Sequence, residues 1–481
     1  AYDAIDRICD YFENLESMPV TAQVERGYLA ECLPSHAPEH GEDWRDIMRD
    51  YDEHILRGIT HWQHPMFYGF FPANTSYEGI LADMLAAMTS NPGFNWFAAP
   101  ADTELEFGLA DWMAKMLRLS PSINVSERSN NGGGLIFGSA SESTLTMAIA
   151  ARERVLHAIS KKTGEDAETV RSTWLTRLVM YCSDQAHSSG VKTARILGLR
   201  CRVLPVSREH MYALRGDTLR NALEEDVKAG YLPFYVLTTY GTTNSCAVDH
   251  FDEIRAVSRA YPELWLHVDA AYAGVTWSLP EMRDASLDAI NEGFDSVSTN
   301  LHKWGLVPFE SSPTFVRDRM HLAAALTLTP EYLKTKDGDM HPLSDLRNMQ
   351  LSLGRRFRAL KVWFVLRSYG VLGFQQHLRS HISLAQHFAD AIVQKGVFEL
   401  VCPPRWGLVV FRLVGPDNVE KLNRAFQQVL LAHSRDMFLT PTVLPEVGYC
   451  FRLALGSPHV QAHHVDRTVR LLHEYAEHVR I

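Results

Sequence analysis

The stretch Ser296–Trp304 reads Ser-Val-Ser-Thr-Asn-Leu-His-Lys-Trp. Val297 and its neighbours have the makings of a short buried strand. The chain then breaks at Asn300 and delivers His302, Lys303 and Trp304 in succession. A lysine wedged between an imidazole and an indole is less freely hydrated than most. Burial disfavours its ammonium form, so the amine can be neutral and nucleophilic near neutral pH, as Schiff-base formation with an aldehyde requires. On these residues alone, an ordinary surface lysine at a strand end is the simpler account.

Four other strand ends change that balance. Gly138-Ser-Ala-Ser-Glu-Ser-Thr144 follows an apolar run and opens a helix. Free amides and hydroxyls at a helix start suit an anion such as phosphate, and as plainly suit a simple cap. Asp184-Gln-Ala-His-Ser-Ser-Gly190 offers one imidazole among small residues, able to lie flat against a planar ring or to sit satisfied in a core. Tyr240-Gly-Thr-Thr-Asn244 is small and hydroxylated, and could be no more than a turn. Asp269 ends the run Leu264–Val268, and a carboxylate there is costly without a partner. A protonated ring nitrogen is such a partner, and it makes a pyridine ring an electron sink. Lys303 comes 34 residues later, about one strand–helix–strand crossover. An anion cradle, a stacking histidine, a ring-nitrogen aspartate and a Schiff-base lysine, each at a strand end, together describe a pyridoxal-phosphate site.

The elements that must position these residues are legible in outline. The runs Leu135–Phe137, Leu178–Ser183, Phe234–Thr239 and Leu264–Val268 alternate with helical segments, which predicts an α/β fold with a mostly parallel, doubly covered sheet. Ligands bind such sheets at the carboxyl ends of their strands. Thr103 with Glu106 reads as a capping box that starts a long helix through Leu105, Leu109, Trp112 and Met116. Arg355–Tyr369 reads as a helix with Phe357, Leu360 and Phe364 inside and its arginines on a solvated flank. Beyond Gly370 the pattern becomes a smaller α+β domain, with strands Leu408–Leu413 and Cys450–Leu455 before a last helix. At the front, Ile5, Ile8, Cys9 and Phe12 form one helical stripe, while Val20–His64 is sparse in apolar groups and needs another surface to pack on. The expected divisions are therefore 1–80, 81–370 and 371–481.

A chain of 481 residues exceeds what one core usually serves. Its 47 basic and 57 acidic residues argue against nucleic acid as the main partner. Seven cysteines without a paired spacing point to reduced thiols, hence to a cytoplasmic protein. No apolar run reaches membrane-spanning length and no charged-then-apolar leader opens the chain; since it starts at Ala1 rather than methionine, a short N-terminal piece is expected to be missing. Among 22 histidines, the pairs His61/His64 and His463/His464 lack a matching third ligand, so no metal is expected.

The motifs His64-Pro-Met-Phe-Tyr-Gly-Phe-Phe-Pro72, Gly138-Ser-Ala-Ser141, Ser183-Asp-Gln-Ala-His-Ser-Ser189, His267-Val-Asp-Ala-Ala-Tyr-Ala-Gly274, Asn300-Leu-His-Lys-Trp304 and Gly354-Arg-Arg-Phe-Arg358 run nearly end to end. On them the chain resembles the pyridoxal-phosphate-dependent aromatic L-amino acid decarboxylases, the group II decarboxylases; Trp304 stands where glutamate-type relatives usually have methionine. The resemblance implies the fold-type-I architecture with a seven-stranded large domain. It also implies a homodimer with shared active sites, in which the N-terminal segment wraps the partner subunit. It casts Lys303 as the Schiff-base lysine, Asp269 as the partner of the pyridine nitrogen and His187 as the stacking ring. Ser139, Ala140, Ser141, Asn300 and His302 hold the phosphate end, and Thr242 or Thr243 lies beside the cofactor with Ala271. Trp62, Phe70, Phe71, Pro72, Pro92, Phe94 and Gly354 surround the substrate side chain. Gly354 leaves room for an indole, so tryptophan is favoured, with phenylalanine, tyrosine and 3,4-dihydroxyphenylalanine also admitted. Leu301 and Ser312-Pro313 depart from the family's habit and bear on strand geometry after the lysine.

The expected activity is decarboxylation to the arylalkylamine. Leu328–Asp345 reads as a mobile loop, on which Tyr332 either anchors the stem or returns a proton to the substrate carbon. The alternative is an aromatic acetaldehyde synthase, which the resemblance associates with loss of that tyrosine or of the stacking histidine. An aminotransferase would need an arginine for the α-carboxylate, for which Arg452 is the one candidate and a strand-edge position the plainer reading. A catalytically dead binding protein is disfavoured by the presence of Lys303 and Asp269.

Overall fold

The computed structural model describes residues 2–123, 131–328, 330–334, 341, 343–415 and 418–479. Residues 74–380 form one compact unit and residues 1–73 with 381–481 another. The larger unit is built on seven strands: β1 Gly133–Phe137, β2 Leu178–Ser183, β3 Arg200–Leu204, β4 Leu232–Thr239, β5 Trp265–Asp269, β6 Ser296–Ser298 and β7 Ser312–Val316. Their order is β1-β7-β6-β5-β4-β2-β3. All neighbours run parallel except β7, which is antiparallel to both β1 and β6.

Strands β1, β2 and β5 are buried at every residue and β4 at all but its first, which is why they read as unbroken apolar runs. The two strands without such a run are the ones the sequence pattern did not reveal. The edge strand β3 is Arg-Cys-Arg-Val-Leu and mostly open to solvent, while β7 begins Ser-Pro. The register sets Thr239, Asp269 and Ser298 side by side, so β4, β5 and β6 end level.

Two local expectations in this unit are corrected. The helix after residue 99 begins at Pro100, not at a Thr103 capping box, and runs to Met116. Proline supplies the first helical φ without losing a hydrogen bond. The Thr103 hydroxyl donates back to Ala99 O at 2.9 Å, Glu106 is fully buried, and Trp112 is exposed. Arg355 is likewise not on a solvated flank: it lies before the helix Arg358–Ile392 and is buried. The buried face of that helix is Ala359, Val362 and Val365, whereas Phe357, Leu360 and Phe364 are half-buried. The helix breaks at Gly370, where φ is +61°.

In the other unit, β8 Phe398–Leu400, β9 Leu408–Leu413, β10 Thr440–Leu444 and β11 Gly448–Ala454 form an antiparallel sheet in the order β10-β11-β9-β8. Met66, Phe67 and Tyr68 are buried in this unit's core with Phe411, Phe426 and Leu453. Tyr68 N donates to Phe438 O at 2.9 Å and Ala454 N to Tyr68 O at 3.1 Å. Arg452 lies on the interior strand β11, not on an edge, and its guanidinium donates to Phe70 O at 3.3 Å while covering the Phe71 ring. Folding also brings Glu16 to the pair His463/His464, a third group the spacing did not reveal, with Glu16 Oε1 at 3.1 Å from His464 Nε2. His464 Nδ1 accepts the Gln461 N–H at 3.0 Å, so the ring carries its proton on Nε2, toward Glu16. The group is a helix cap and a contact of a neutral imidazole with a carboxylate.

Candidate active site

Lys303 sits on a single helical turn, Leu301–Trp304, immediately beyond β6. Its flanking rings turn to partners of their own, because consecutive helical residues point in different directions. Trp304 is fully buried and stacks on Tyr272 at 4.9 Å with 9° between planes, which joins the lysine turn to the segment after β5. Such a pair contributes roughly 0.5–1.5 kcal/mol beyond its burial. His302 turns elsewhere: its Nδ1 accepts the Ser311 N–H at 2.9 Å and its ring meets Phe309 edge-on. Burial, aided by the Lys303 charge, lowers its pKa to about 4, so the ring is neutral. Lys303 itself is half-buried.

Asp269 ends β5 in the middle of the sheet and is buried. One of its oxygens accepts the Ala271 N–H at 2.9 Å, and Ala271 O in turn accepts from Asn300 N at 2.9 Å. His187 follows β2 with an open face, yet enough protein crowds the ring to lower its pKa; Asp269 acts to raise it and Lys303 to lower it further. The three side chains therefore lie within electrostatic reach of one another. His187 Nδ1 accepts the Ser189 N–H at 3.1 Å, which leaves the neutral ring's proton on Nε2. The threonine pair separates. Thr242 is fully buried and its hydroxyl accepts the Ala247 N–H at 3.0 Å, so it serves the turn, whereas Thr243 is half-buried.

The anion cradle is the start of the 24-residue helix Ala140–Thr163. Ser139 is its N-cap and accepts the Glu142 N–H at 3.1 Å; Ala140 and Ser141 form the first turn, whose amides point out of the helix end. Asn300 is buried and accepts from the Ser312 hydroxyl at 2.7 Å. The buried hydroxyls of Ser183, Ser189, Thr239, Thr299 and Ser311, all near strand ends, have no hydrogen-bond partner among the described residues. Unpaired buried hydroxyls are uncommon in finished interiors and mark a place where a polar ligand belongs. Together with a buried carboxyl group at Asp269 and a helix start, they fit pyridoxal phosphate.

The residues expected around a substrate side chain fall in both units. Trp62, Phe70, Phe71 and Pro72 belong to the smaller one, where Trp62 stacks on Phe70 at 5.4 Å. Pro92, Phe94 and Gly354 belong to the larger one, and a Cβ on Gly354 would meet only Pro92, at 3.8 Å. The backbone of Tyr332 lies in the short turn Glu331–Leu333, but its side chain, like residues 329, 335–340 and 342 of the same loop, is outside the described residues.

Beside Pro92 and Gly354 lies a buried charge cluster that sequence reasoning missed, because nothing in helical spacing pairs Glu106 with Arg355. Arg355 Nη2 donates to both Glu106 oxygens at 2.5 and 2.6 Å, with the two side chains 2% and 0% exposed. Neither oxygen of nearby Asp102 has a hydrogen-bond partner among the described residues. Burial first, and Glu106 next, raise the Asp102 pKa to about 7, against the opposing effect of Arg355 and Arg358. The folded protein thus binds a proton that the unfolded chain releases near pH 3.8, so stability falls as pH rises from about 4 to about 7. Asp102→Asn should abolish that slope. The variant is expected to melt above the wild type at pH 8 by the equivalent of a few kcal/mol, and no higher at pH 4, by calorimetry across that range.

The pyridoxal-dependent decarboxylase conserved domain matches residues 26–414. The chain is 40% identical over 483 residues to the aromatic-L-amino-acid decarboxylase of Cavia porcellus, covering 99% of this chain and 96% of that one. It is 39% identical over 481 residues to a phenylacetaldehyde synthase of Arabidopsis thaliana, covering 99% and 94%. Among solved structures, Oryza sativa TDC with PLP and tryptamine superposes with a TM-score of 0.93 at 34% identity, over 100% of this chain and 97% of that one. A site built for pyridoxal phosphate at the strand ends, and matches running the length of the chain, have one reading: the protein belongs to the pyridoxal-dependent decarboxylase family, as a carboxy-lyase of its aromatic-amino-acid branch.

Proposed function

We propose that the protein removes the α-carboxyl group of an aromatic L-amino acid, tryptophan in preference, and releases CO₂ and the arylalkylamine. The observation that carries this reading is the level ending of β4, β5 and β6, which brings Asp269 into electrostatic reach of His187 and Lys303. Bound pyridoxal phosphate supplies an aldehyde for the amine and a ring that accepts the electrons left behind by CO₂. Lys303 Nζ would hold that aldehyde. Asp269 would keep a proton on the ring nitrogen, and the neutral His187 ring would lie against the cofactor's face. The helix start at Ser139–Ser141, with Asn300 and His302, holds the phosphate end. Thr243, whose neighbour Thr242 is committed to its own turn, is the threonine beside the cofactor with Ala271. Pro92, Phe94 and Gly354 take the aromatic side chain, and the space beside Gly354 suits an indole. The Oryza neighbour's tryptamine is in keeping with that preference.

The same reading makes the protein a cytoplasmic homodimer. Met88, Phe97, Phe309 and Leu328 are 74%, 80%, 64% and 83% exposed, large apolar side chains that a second copy of the chain would cover. No helix among the described residues is long and apolar enough to cross a membrane.

Aldehyde synthesis is the second reading, favoured by the phenylacetaldehyde synthase relative and opposed by the presence of Tyr332 and His187. Incubation with tryptophan, phenylalanine, tyrosine and 3,4-dihydroxyphenylalanine, assaying CO₂, amine, aldehyde and peroxide together, separates the two. Amine in step with CO₂ supports the decarboxylase; aldehyde with peroxide supports the synthase. In the decarboxylase reading, the Tyr332 hydroxyl returns a proton to the substrate carbon once CO₂ has left. Tyr332→Phe is then expected to keep releasing CO₂ while its product shifts from amine to aldehyde, with oxygen consumed and ammonia and peroxide formed. A variant making only amine at an undiminished rate would make Tyr332 a stem anchor.

A further inference from the structure

Two segments of the larger unit, Pro92–Phe94 and Leu353–Gly354, are held together by backbone and side chain at once. Arg355 N donates to Pro92 O at 2.7 Å and Arg347 N to Phe94 O at 3.2 Å. The Arg355 guanidinium turns the other way, into the protein. Its Nη2 meets both Glu106 oxygens and also Ile136 O at 3.2 Å, while Glu106 Oε1 accepts the Ile136 N–H at 2.8 Å. Ile136 is in β1, two residues before the glycine that opens the anion cradle. Behind Pro92 the space is full: a Cβ on Gly93 would lie 2.4 Å from Asp102 Oδ2 and 3.1 Å from Arg355 Cγ, and φ there is +54°.

The guanidinium therefore has one end in the strand that carries the cradle and its backbone in the segment that carries Gly354. We propose that Arg355, buried against Glu106, is a positioning residue that fixes the height of the Pro92–Phe94 and Gly354 segments above β1, and so determines how sharply the site distinguishes indole from phenol side chains. The proposal rests on the assignment of those segments to the substrate wall. Its physical basis is reach: the outermost guanidinium nitrogen, Nη2, meets both Glu106 oxygens and Ile136 O, and a lysine ammonium, a compact charge on a shorter side chain, ends short of that position. With those contacts weakened, the wall is free to shift relative to β1, which blunts selection between rings that differ in size.

The test uses the holoenzyme and the product-like amines tryptamine and tyramine, whose binding by calorimetry needs no turnover. In Arg355→Lys, dissociation constants for both amines should rise and their ratio should move toward one by roughly tenfold. Cofactor content, read by absorbance, should not change, because β1 stays paired with β7 from Gly133 to Phe137. Glu106→Gln/Arg355→Gln removes both charges together and leaves neither alone in the interior; it should blunt the ratio in the same way, and carries the test if Arg355→Lys does not fold. A lowered melting temperature with both dissociation constants unchanged, or loss of cofactor in step with loss of amine binding, would overturn the proposal. Absence of CO₂ release by the wild type would instead count against the decarboxylase reading and leave this binding comparison intact.

Discussion

Lys303→Ala is expected to abolish turnover while leaving the fold unchanged. The side chain is half-buried on a single helical turn, and the packing around it comes from Trp304 on Tyr272 and from His302 against Phe309, none of which needs the lysine amine. What the variant would lose, in the proposed chemistry, is the amine that holds the cofactor's aldehyde. The loss should be on the order of 10³-fold or more in kcat, corresponding to upwards of about 4 kcal/mol of barrier. Spectroscopy provides the independent readout. The wild type should show an absorbance band near the visible that borohydride removes by fixing the cofactor to the chain, and the variant should show neither the band nor the fixed cofactor. A variant that retained either would mean that a different amine does the work.

Asp269→Asn is expected to cost on the order of 10²–10³-fold in kcat, comparable to removing a preorganised charge partner from a site that excludes water. An amide is nearly the same shape as the carboxylate and can still accept the Ala271 N–H that the native side chain takes at 2.9 Å, so the level strand ends should survive. Only the negative charge disappears, and with it the force that keeps a proton on the cofactor's ring nitrogen. KM should change far less than kcat, since no contact with the substrate's own side chain is altered. A near-normal kcat in Asp269→Asn would remove Asp269 from the proposed chemistry, whatever happened to stability.

How much of this could be read without coordinates depended on the range of the interaction. Strands β1, β2, β4 and β5 are buried on both faces, so burial alone writes them as apolar runs, and the reactive residues just beyond them stand out by contrast. Strand β3 is an edge with arginines at its first and third positions, and β7 opens with Ser-Pro; neither pattern distinguishes a strand from a loop. The capping box at Thr103 and Glu106 met every local criterion and was still not used. Pro100 starts the helix earlier, and Glu106 is spent on Arg355, 249 residues away.

The sequence by itself determined which chemistry this protein could contain: a lysine, an aspartate, a histidine and a hydroxyl-rich helix start, each at the end of an apolar strand. That information is local, because strand ends and helix starts are dictated by burial and by unpaired backbone groups within a few residues. Only the tertiary structure decided which of those residues are available for it. It turned the Thr242 hydroxyl into its own turn, sent Trp304 to Tyr272, and committed Arg452 to Phe70 and Phe71. It also drew Arg355 off its expected solvated flank into the interior, since a buried charge is tolerated only beside its counter-charge. For Arg355 that counter-charge is on a helix no periodicity could have paired with it.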